Sequence, residues 1–220
     1  MDAEIYRWRV FLDLKIAIVD YGMGNIHSLK SALIYICPNA DIYLAQDRKM
    51  LDKADLIFLP GVGHFKVAMD KLASLNLVNT LRELVLDKKR PIMGICLGMQ
   101  LLFKNSSEGG INSGIGLLNA EVRHINEGIE KIPHIGFNSV EPATDSIMFN
   151  NIGNLDFYFV HSYCVNDTGL DGEYITYCNY NEKFVAAVES NNIWGTQFHP
   201  EKSQKSGLQL LSNFINHFGN

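Results

Sequence analysis

The sequence predicts an α/β protein with a central, mostly parallel sheet flanked by helices and additional antiparallel strands. Three observations predict it. Short apolar runs recur at 15–20, 41–45, 55–59 and 91–95; helix-period segments separate them; and Gly-rich turns follow the runs at 21–24 and 59–63. Lys-Ile-Ala-Ile-Val-Asp at 15–20 reads as a buried parallel strand, and residues 25–36 then carry Ile26, Leu29, Leu33 and Ile36 at helical spacing. Residues 69–86 are leucine-rich at spacings of 3–4 and predict a helix with a break near Asn76. The run at 91–95 feeds a turn and then a helix-like stretch with Met99, Leu101, Leu102 and Phe103.

From 121 to 196 the pattern becomes strand-like, turn-rich and aromatic, which predicts an antiparallel or mixed sheet extending or flanking the first. A last helix is expected over 206–217, with Leu208, Leu211, Phe214 and Ile215 on one face. No repeat, linker or low-complexity stretch divides the chain, so a single domain is expected over 15–220, preceded by an extension at 1–14. That stretch mixes Asp2, Glu4, Arg7, Arg9 and Asp13 with apolar residues and does not read as a secretory signal.

Composition narrows the partners. The 220 residues suit one α/β domain, and a formal net charge of −5 without a Lys/Arg cluster argues against nucleic acid. No apolar stretch approaches the roughly 20 residues of a membrane span. The four cysteines, Cys37, Cys96, Cys164 and Cys178, include no C-x-x-C pair, so a zinc site is not expected; no other metal and no cofactor is expected either. Free thiols in a reducing cytoplasm are the simplest context. Cys37, Cys164 and Cys178 lie in apolar or β-rich surroundings and read as inert.

Cys96 reads differently. Gly-Ile-Cys-Leu-Gly at 94–98 places it at a strand-to-helix junction between two glycines, the pattern of a nucleophile elbow. The glycines permit a strained, crowded turn, and the helix N-terminus favours negative charge on the sulfur. Such a thiol needs a base and the base an orienter. Of seven histidines, His199 stands out in Gly-Thr-Gln-Phe-His-Pro-Glu at 195–201: a strand, then Pro200, then Glu201 within reach of the imidazole. His27, His64, His124, His134, His161 and His217 read individually as structural or surface residues. For an oxyanion hole, the loop at 59–63 exposes backbone around Gly61, Val62 and Gly63, and the N–H of Leu97 follows the nucleophile. No Lys-Ser/Thr follows that loop, which excludes a phosphate loop, and the order Cys…His-x-Glu disfavours the α/β-hydrolases.

Pro-Gly-Val-Gly (60–63), Gly-Ile-Cys-Leu-Gly-Met-Gln (94–100) and Gln-Phe-His-Pro-Glu-Lys-Ser (197–203) together resemble the class I, triad-type glutamine amidotransferases. Within that family they are most similar to the glutaminase subunits of imidazole glycerol phosphate synthase. Asp-Tyr-Gly-Met-Gly-Asn (20–25), Pro-His-Ile-Gly-Phe-Asn (133–138) and Tyr-Phe-Val-His-Ser-Tyr (158–163) agree, so the resemblance runs from about Lys15 to the C-terminus. It implies a single-domain, flavodoxin-like class I amidotransferase fold over 15–220. It also implies hydrolysis of L-glutamine by Cys96, His199 and Glu201, with Gln100, Ser162 and Tyr163 contacting the substrate.

The resemblance further implies a heterodimer with a (β/α)8-barrel cyclase subunit that receives the ammonia for histidine biosynthesis, with Asn25, Phe137, Tyr158 and Lys202 near the interface. Two features depart from the family: Phe137 stands where a Trp is usual, and the segment before the first strand is generally absent. Paralogues of similar sequence supply ammonia for surface-sugar biosynthesis, and that destination stays open, as does the remoter reading of a non-catalytic binding partner. A cysteine peptidase or deglycase of similar architecture is disfavoured by the His-Pro-Glu block.

Overall fold

The computed structural model describes residues 13–170 and 173–219. The parallel half of the sheet is formed by β1 (Lys15–Val19), β2 (Asp41–Ala45), β3 (Leu56–Gly61), β4 (Ile92–Cys96) and β13 (Ile193–Thr196), in the order β2-β1-β3-β4-β13. This is a doubly wound arrangement whose strand order reverses beside β1, and such sheets carry their sites at the strands' carboxyl ends. Alternation along β1 shows why both faces are covered. Ile16 and Ile18 join one core with Leu29, Leu33, Phe58 and Phe214, whereas Ala17 and Val19 join the other with Leu59, Phe65, Leu81 and Met99. Each fully buried Val, Leu, Ile, Phe or Met side chain among these contributes on the order of 1.5–3 kcal/mol.

Helices α1 (Ile26–Ile36) and α6 (Gln204–Phe218) supply the first core; α3 (Phe65–Ser74), α4 (Leu77–Arg82) and α5 (Leu97–Leu102) supply the second. The short α2 (Arg48–Leu51) is capped by Asp47, whose carboxylate accepts from Met50 N at 2.8 Å. The expected interruption near Asn76 is present: Asn76 adopts φ 56° between α3 and α4, and a π-helical turn, Glu83–Asp87, ends the segment. The helix begins earlier than expected, at Phe65, because His64 Nδ1 accepts from Lys66 N and Glu108 Oε2 accepts from Phe65 N.

Beyond β13 the sheet continues through antiparallel partners, except that β5 runs parallel to β7. β12 (Glu182–Ser190) pairs β13; β10 (Tyr163–Val165) pairs β12 and β7 (Leu118–His124); β5 (Phe103–Ser106) and β6 (Asn112–Ser113) close that edge. Phe103 is thus strand rather than helix: it turns extended after six helical residues and pairs with Leu118. A branch leaves β12 through β11 (Tyr174–Tyr180) to the antiparallel pair β8 (His134–Glu141) and β9 (Asp156–His161). Of the stretch read as an extension, residues 1–12 lie outside the described residues; Leu14 is buried, and its carbonyl accepts from Asp41 N. Among the described residues no helix is long and apolar enough to cross a membrane.

Candidate active site

Cys96 ends β4 and caps α5 with φ 55° and ψ −115°, a conformation that non-glycine residues occupy only under constraint from their surroundings. The constraint is visible. A Cβ on Gly94 would come 2.7 Å from Met99 Cα, and one on Gly98 would come 1.7 Å from the carbonyl oxygen of Leu59. The elbow therefore sits directly on β3. This packing also corrects the loop expected at 59–63: Pro60 and Gly61 belong to β3, paired with Ile95 and Cys96. Gly61 is buried there, a Cβ on it would meet Gly98 N at 2.7 Å, and only Val62 and Gly63 leave the sheet. The buried phenol of Tyr21 donates to Pro60 O at 2.9 Å; burial foremost, and Cys96 next, push its pKa up and keep it a donor.

His199 follows β13, its backbone N–H donating to Tyr158 O at 2.9 Å and its carbonyl accepting from Ser203 Oγ at 2.7 Å. Pro200 opens a single 3-10 turn, Pro200–Lys202, that brings Glu201 back: His199 Nδ1 lies 2.8 Å from Glu201 Oε1, both side chains 2% exposed. Burial opposes charge on the ring, but Cys96 and Glu201 outweigh it and push the imidazole up to about 10. Nε2 is buried without a closed hydrogen bond, yet near enough to Cys96 for the sulfur to act on the ring. A thiol, an imidazole held by a carboxylate, and backbone N–H groups at a turn can together run acyl transfer.

These groups share a cavity of about 360 Å³ lined by Val62, Gly63, Cys96, Leu97, Gln100, Ser162, Tyr163 and His199 together with Glu108, Val160 and His161. A volume of this size suits a small metabolite. Of the residues anticipated here, Gly61 alone among the oxyanion and substrate candidates backs the elbow instead of lining the cavity. Gln100 Nε2 donates to Tyr163 O and to Gln197 Oε1, both at 2.9 Å, and Gln197 Nε2 lies 3.8 Å from Cys96 Sγ.

Glu108, Val160, His161 and Gln197 were not singled out from sequence. Glu108 reaches the cavity from a loop with no periodic signal, whereas Gln197 and His161 lie inside blocks already conspicuous for His199 and Tyr163. The remaining cysteines are buried free thiols, and burial raises Cys164 and Cys178 to about 12. Among the described residues no group of three or more His, Cys, Asp or Glu side chains is arranged to hold a metal ion.

Phe137, Tyr158 and Lys202 come together outside the cavity. Phe137 pairs with Tyr158 across β8 and β9, their ring centroids 5.6 Å apart, and Lys202 Nζ stands 5.6 Å from the Tyr158 ring. Phe137 and Ile135 are 53% and 59% exposed on the same face of that pair. Asn25 precedes α1, which packs against the Pro200–Lys202 turn.

Residues 17–218 match the glutamine amidotransferase class-I family. The chain is 45% identical over 206 residues to imidazole glycerol phosphate synthase subunit HisH 1 of Parasynechococcus marenigrum, covering 91% of this chain and 97% of that one. It is 42% identical to subunit HisH of Aquifex aeolicus over 202 residues, 91% of this chain and 96% of that one. Among solved structures, a glutamine amidotransferase superimposes with TM-score 0.73 at 16% identity, covering 93% of this chain and 99% of that one. The PurLQS structure from Thermotoga maritima gives 0.69 at 18% identity, covering 94% of this chain and 99% of that one. The elbow and the His–Glu pair are thus carried on a shared fold, and the chain is an enzyme belonging to the class-I glutamine amidotransferases.

Proposed function

We propose that this chain is the glutaminase subunit of an imidazole glycerol phosphate synthase, hydrolysing L-glutamine and passing the ammonia to a (β/α)8-barrel cyclase subunit in histidine biosynthesis. The observation that carries the reading is Cys96, held at φ 55° in one cavity with His199, whose Nδ1 is held in turn by Glu201. In this reading the Cys96 thiolate adds to the side-chain carboxamide carbon of glutamine, and the carboxamide oxygen takes the negative charge. Backbone N–H groups at Leu97 and along Val62–Gly63 receive that oxyanion. The C–N bond then breaks as His199 gives its proton to the leaving nitrogen, releasing ammonia and leaving a glutamyl thioester. Water adds to the thioester with His199 as base, glutamate departs, and the thiolate is restored. Glu201 holds the imidazole through Nδ1, while Gln100, Ser162 and Tyr163 form the substrate end.

The same reading takes 15–220 as the amidotransferase domain and 1–14 as its extension. The docking face comprises Asn25, Phe137, Tyr158 and Lys202, three of which cluster beside the backbone clamp between Tyr158 and His199. Phe137, lacking an indole donor where the family usually has Trp, favours the second reading, a subunit feeding a surface-sugar amidotransferase.

The test is Cys96→Ser in the complex with a histidine-pathway cyclase. Glutamine-dependent product should vanish while ammonia-dependent turnover persists, and equal loss of both would refute confinement of Cys96 to the glutaminase step. Wild-type chain that neither binds that cyclase nor supports imidazole formation would move the reading to the sugar pathway.

A further inference from the structure

His134 and His161 face each other across β8 and β9, both buried, with His134 Nδ1 3.0 Å from His161 Nε2. Their neighbours dictate which nitrogen bears hydrogen. His161 Nδ1 lies 2.8 Å from Tyr163 O, and a carbonyl can only accept, so Nδ1 carries the hydrogen. In the neutral ring Nε2 is then an acceptor, and His134 Nδ1 must donate to it. His134 Nε2 is left to accept, and Asn138 Nδ2 stands 3.4 Å away. Burial depresses His134 to about 4, and burial foremost takes His161 to about 3 against the opposing pull of the Tyr163 carbonyl, so both rings are neutral at physiological pH. Every donor in the chain points the same way, from Asn138 to the carbonyl of Tyr163.

That carbonyl also accepts from Gln100 Nε2, whose second hydrogen goes to Gln197 Oε1. Both acceptor positions of Tyr163 O are thereby filled, which fixes the backbone at the substrate end of the cavity. The rings themselves are held in place: His134 stacks between Tyr180, at 3.8 Å and 19°, and Phe159, at 4.7 Å and 20°. His161 leans on Phe184 at 5.1 Å and also lines the cavity. Asn138 and His134 lie on β8, the strand whose opposite face exposes Ile135 and Phe137.

We propose that His134 is a positioning residue for glutamine, acting through His161 to hold the Tyr163 backbone and Gln100, and tying the exposed β8 face to the substrate end of the cavity. It touches neither substrate nor the reacting atoms, and its role rests on the glutaminase reading above. His134→Phe keeps ring volume and stacking but deletes the donor, leaving His161 Nε2 unpaired; His134→Asn restores a donor near Nδ1.

Glutamate release, measured with the cyclase subunit present, should show KM for glutamine raised about tenfold in His134→Phe with kcat within about twofold, and recovery in His134→Asn. An unchanged KM, a loss confined to kcat, or a well-folded His134→Asn as impaired as His134→Phe would overturn the proposal. Nitrogen-15 imidazole NMR of the free wild-type chain reads the relay without turnover. Hydrogen on Nδ1 of both neutral rings is expected, and hydrogen on Nε2 of His161 overturns the proposal even if no variant folds. Wild-type chain that releases no glutamate would instead overturn the glutaminase reading and the positioning role with it, and the NMR result keeps the two failures distinct.

Discussion

Gly98→Ala pits two effects of opposite sign against each other. Gly98 is helical in α5, and alanine in a helix is favoured over glycine by about 1 kcal/mol. Against this, the new Cβ would lie 1.7 Å from Leu59 O, 2.8 Å from Leu59 C and 3.1 Å from Pro60 C. Real Cβ contacts essentially never fall below 3.0 Å, so β3 and α5 must part by about 1.3 Å, the difference between 3.0 and 1.7 Å. The obstacle is backbone of a central strand and cannot rotate away. Overpacking of this kind costs about 1–3 kcal/mol or more, so sterics win. A backbone clash this close takes the upper end, about 3 kcal/mol, so the net loss after the helix gain is about 2 kcal/mol, which in a chain of this length lowers Tm by roughly 4–8 °C. The same parting moves Cys96 against Val62 and Gly63, and a misplacement of about 1 Å costs on the order of 10²-fold in rate. Calorimetry and glutamate release would be compared with Gly153→Ala, whose Cβ meets nothing within 4 Å. A Gly98→Ala protein with Tm and activity matching that control would refute the close-approach argument.

Glu201→Gln should reduce glutaminase at least about 10²-fold and alter the alkaline limb of stability. Because His199 is raised from 6.5 to about 10 on folding by Cys96 and Glu201 together, its charged pairing stabilises fully below pH 6.5 and is lost as pH rises towards 10, so removing the carboxylate partly flattens Tm against pH across that window. Phe137→Ala should leave Tm within about 2 °C, since the ring is largely exposed, yet weaken cyclase binding about 10–100-fold by calorimetric titration; unchanged affinity would remove Phe137 from the docking face.

The parallel half of the fold was legible because its central strands β1, β3 and β4 are buried on both faces and read as apolar runs, as at 15–20 and 91–95. The elbow was legible for a related reason: glycine two residues either side of Cys96 reports close approach by backbone, which β3 and Met99 supply. What escaped was set by long-range contact. Phe103 belongs to a strand because Leu118 is there to pair with it, and no local propensity separates it from the helix that ends one residue earlier. Glu108 lines the cavity because it pins the start of α3 from 43 residues away. Pro60 looked like a turn, yet it is tolerated at the end of a central strand, the place where proline's missing donor disrupts least.

The histidines show most clearly why residue type alone underdetermines role. His161 and His199 line the same cavity, and both are buried, so desolvation alone would make both neutral. Partners separate them. His199 meets a carboxylate through Nδ1 and a sulfur on its other side, and both favour its charged form. His161 meets a carbonyl through Nδ1 and another neutral imidazole through Nε2, a pairing that consumes one hydrogen per ring and has no place for a second. Opposed environments within one site are what acid–base chemistry requires, because a proton must reside on one group while its neighbour stays inert. In the glutaminase reading, what separates positions 161 and 199 is therefore less the presence of histidine than the partners: Cys96 and Glu201 favour the charged ring at 199, and the Tyr163 carbonyl with the His134 imidazole holds the ring at 161 neutral.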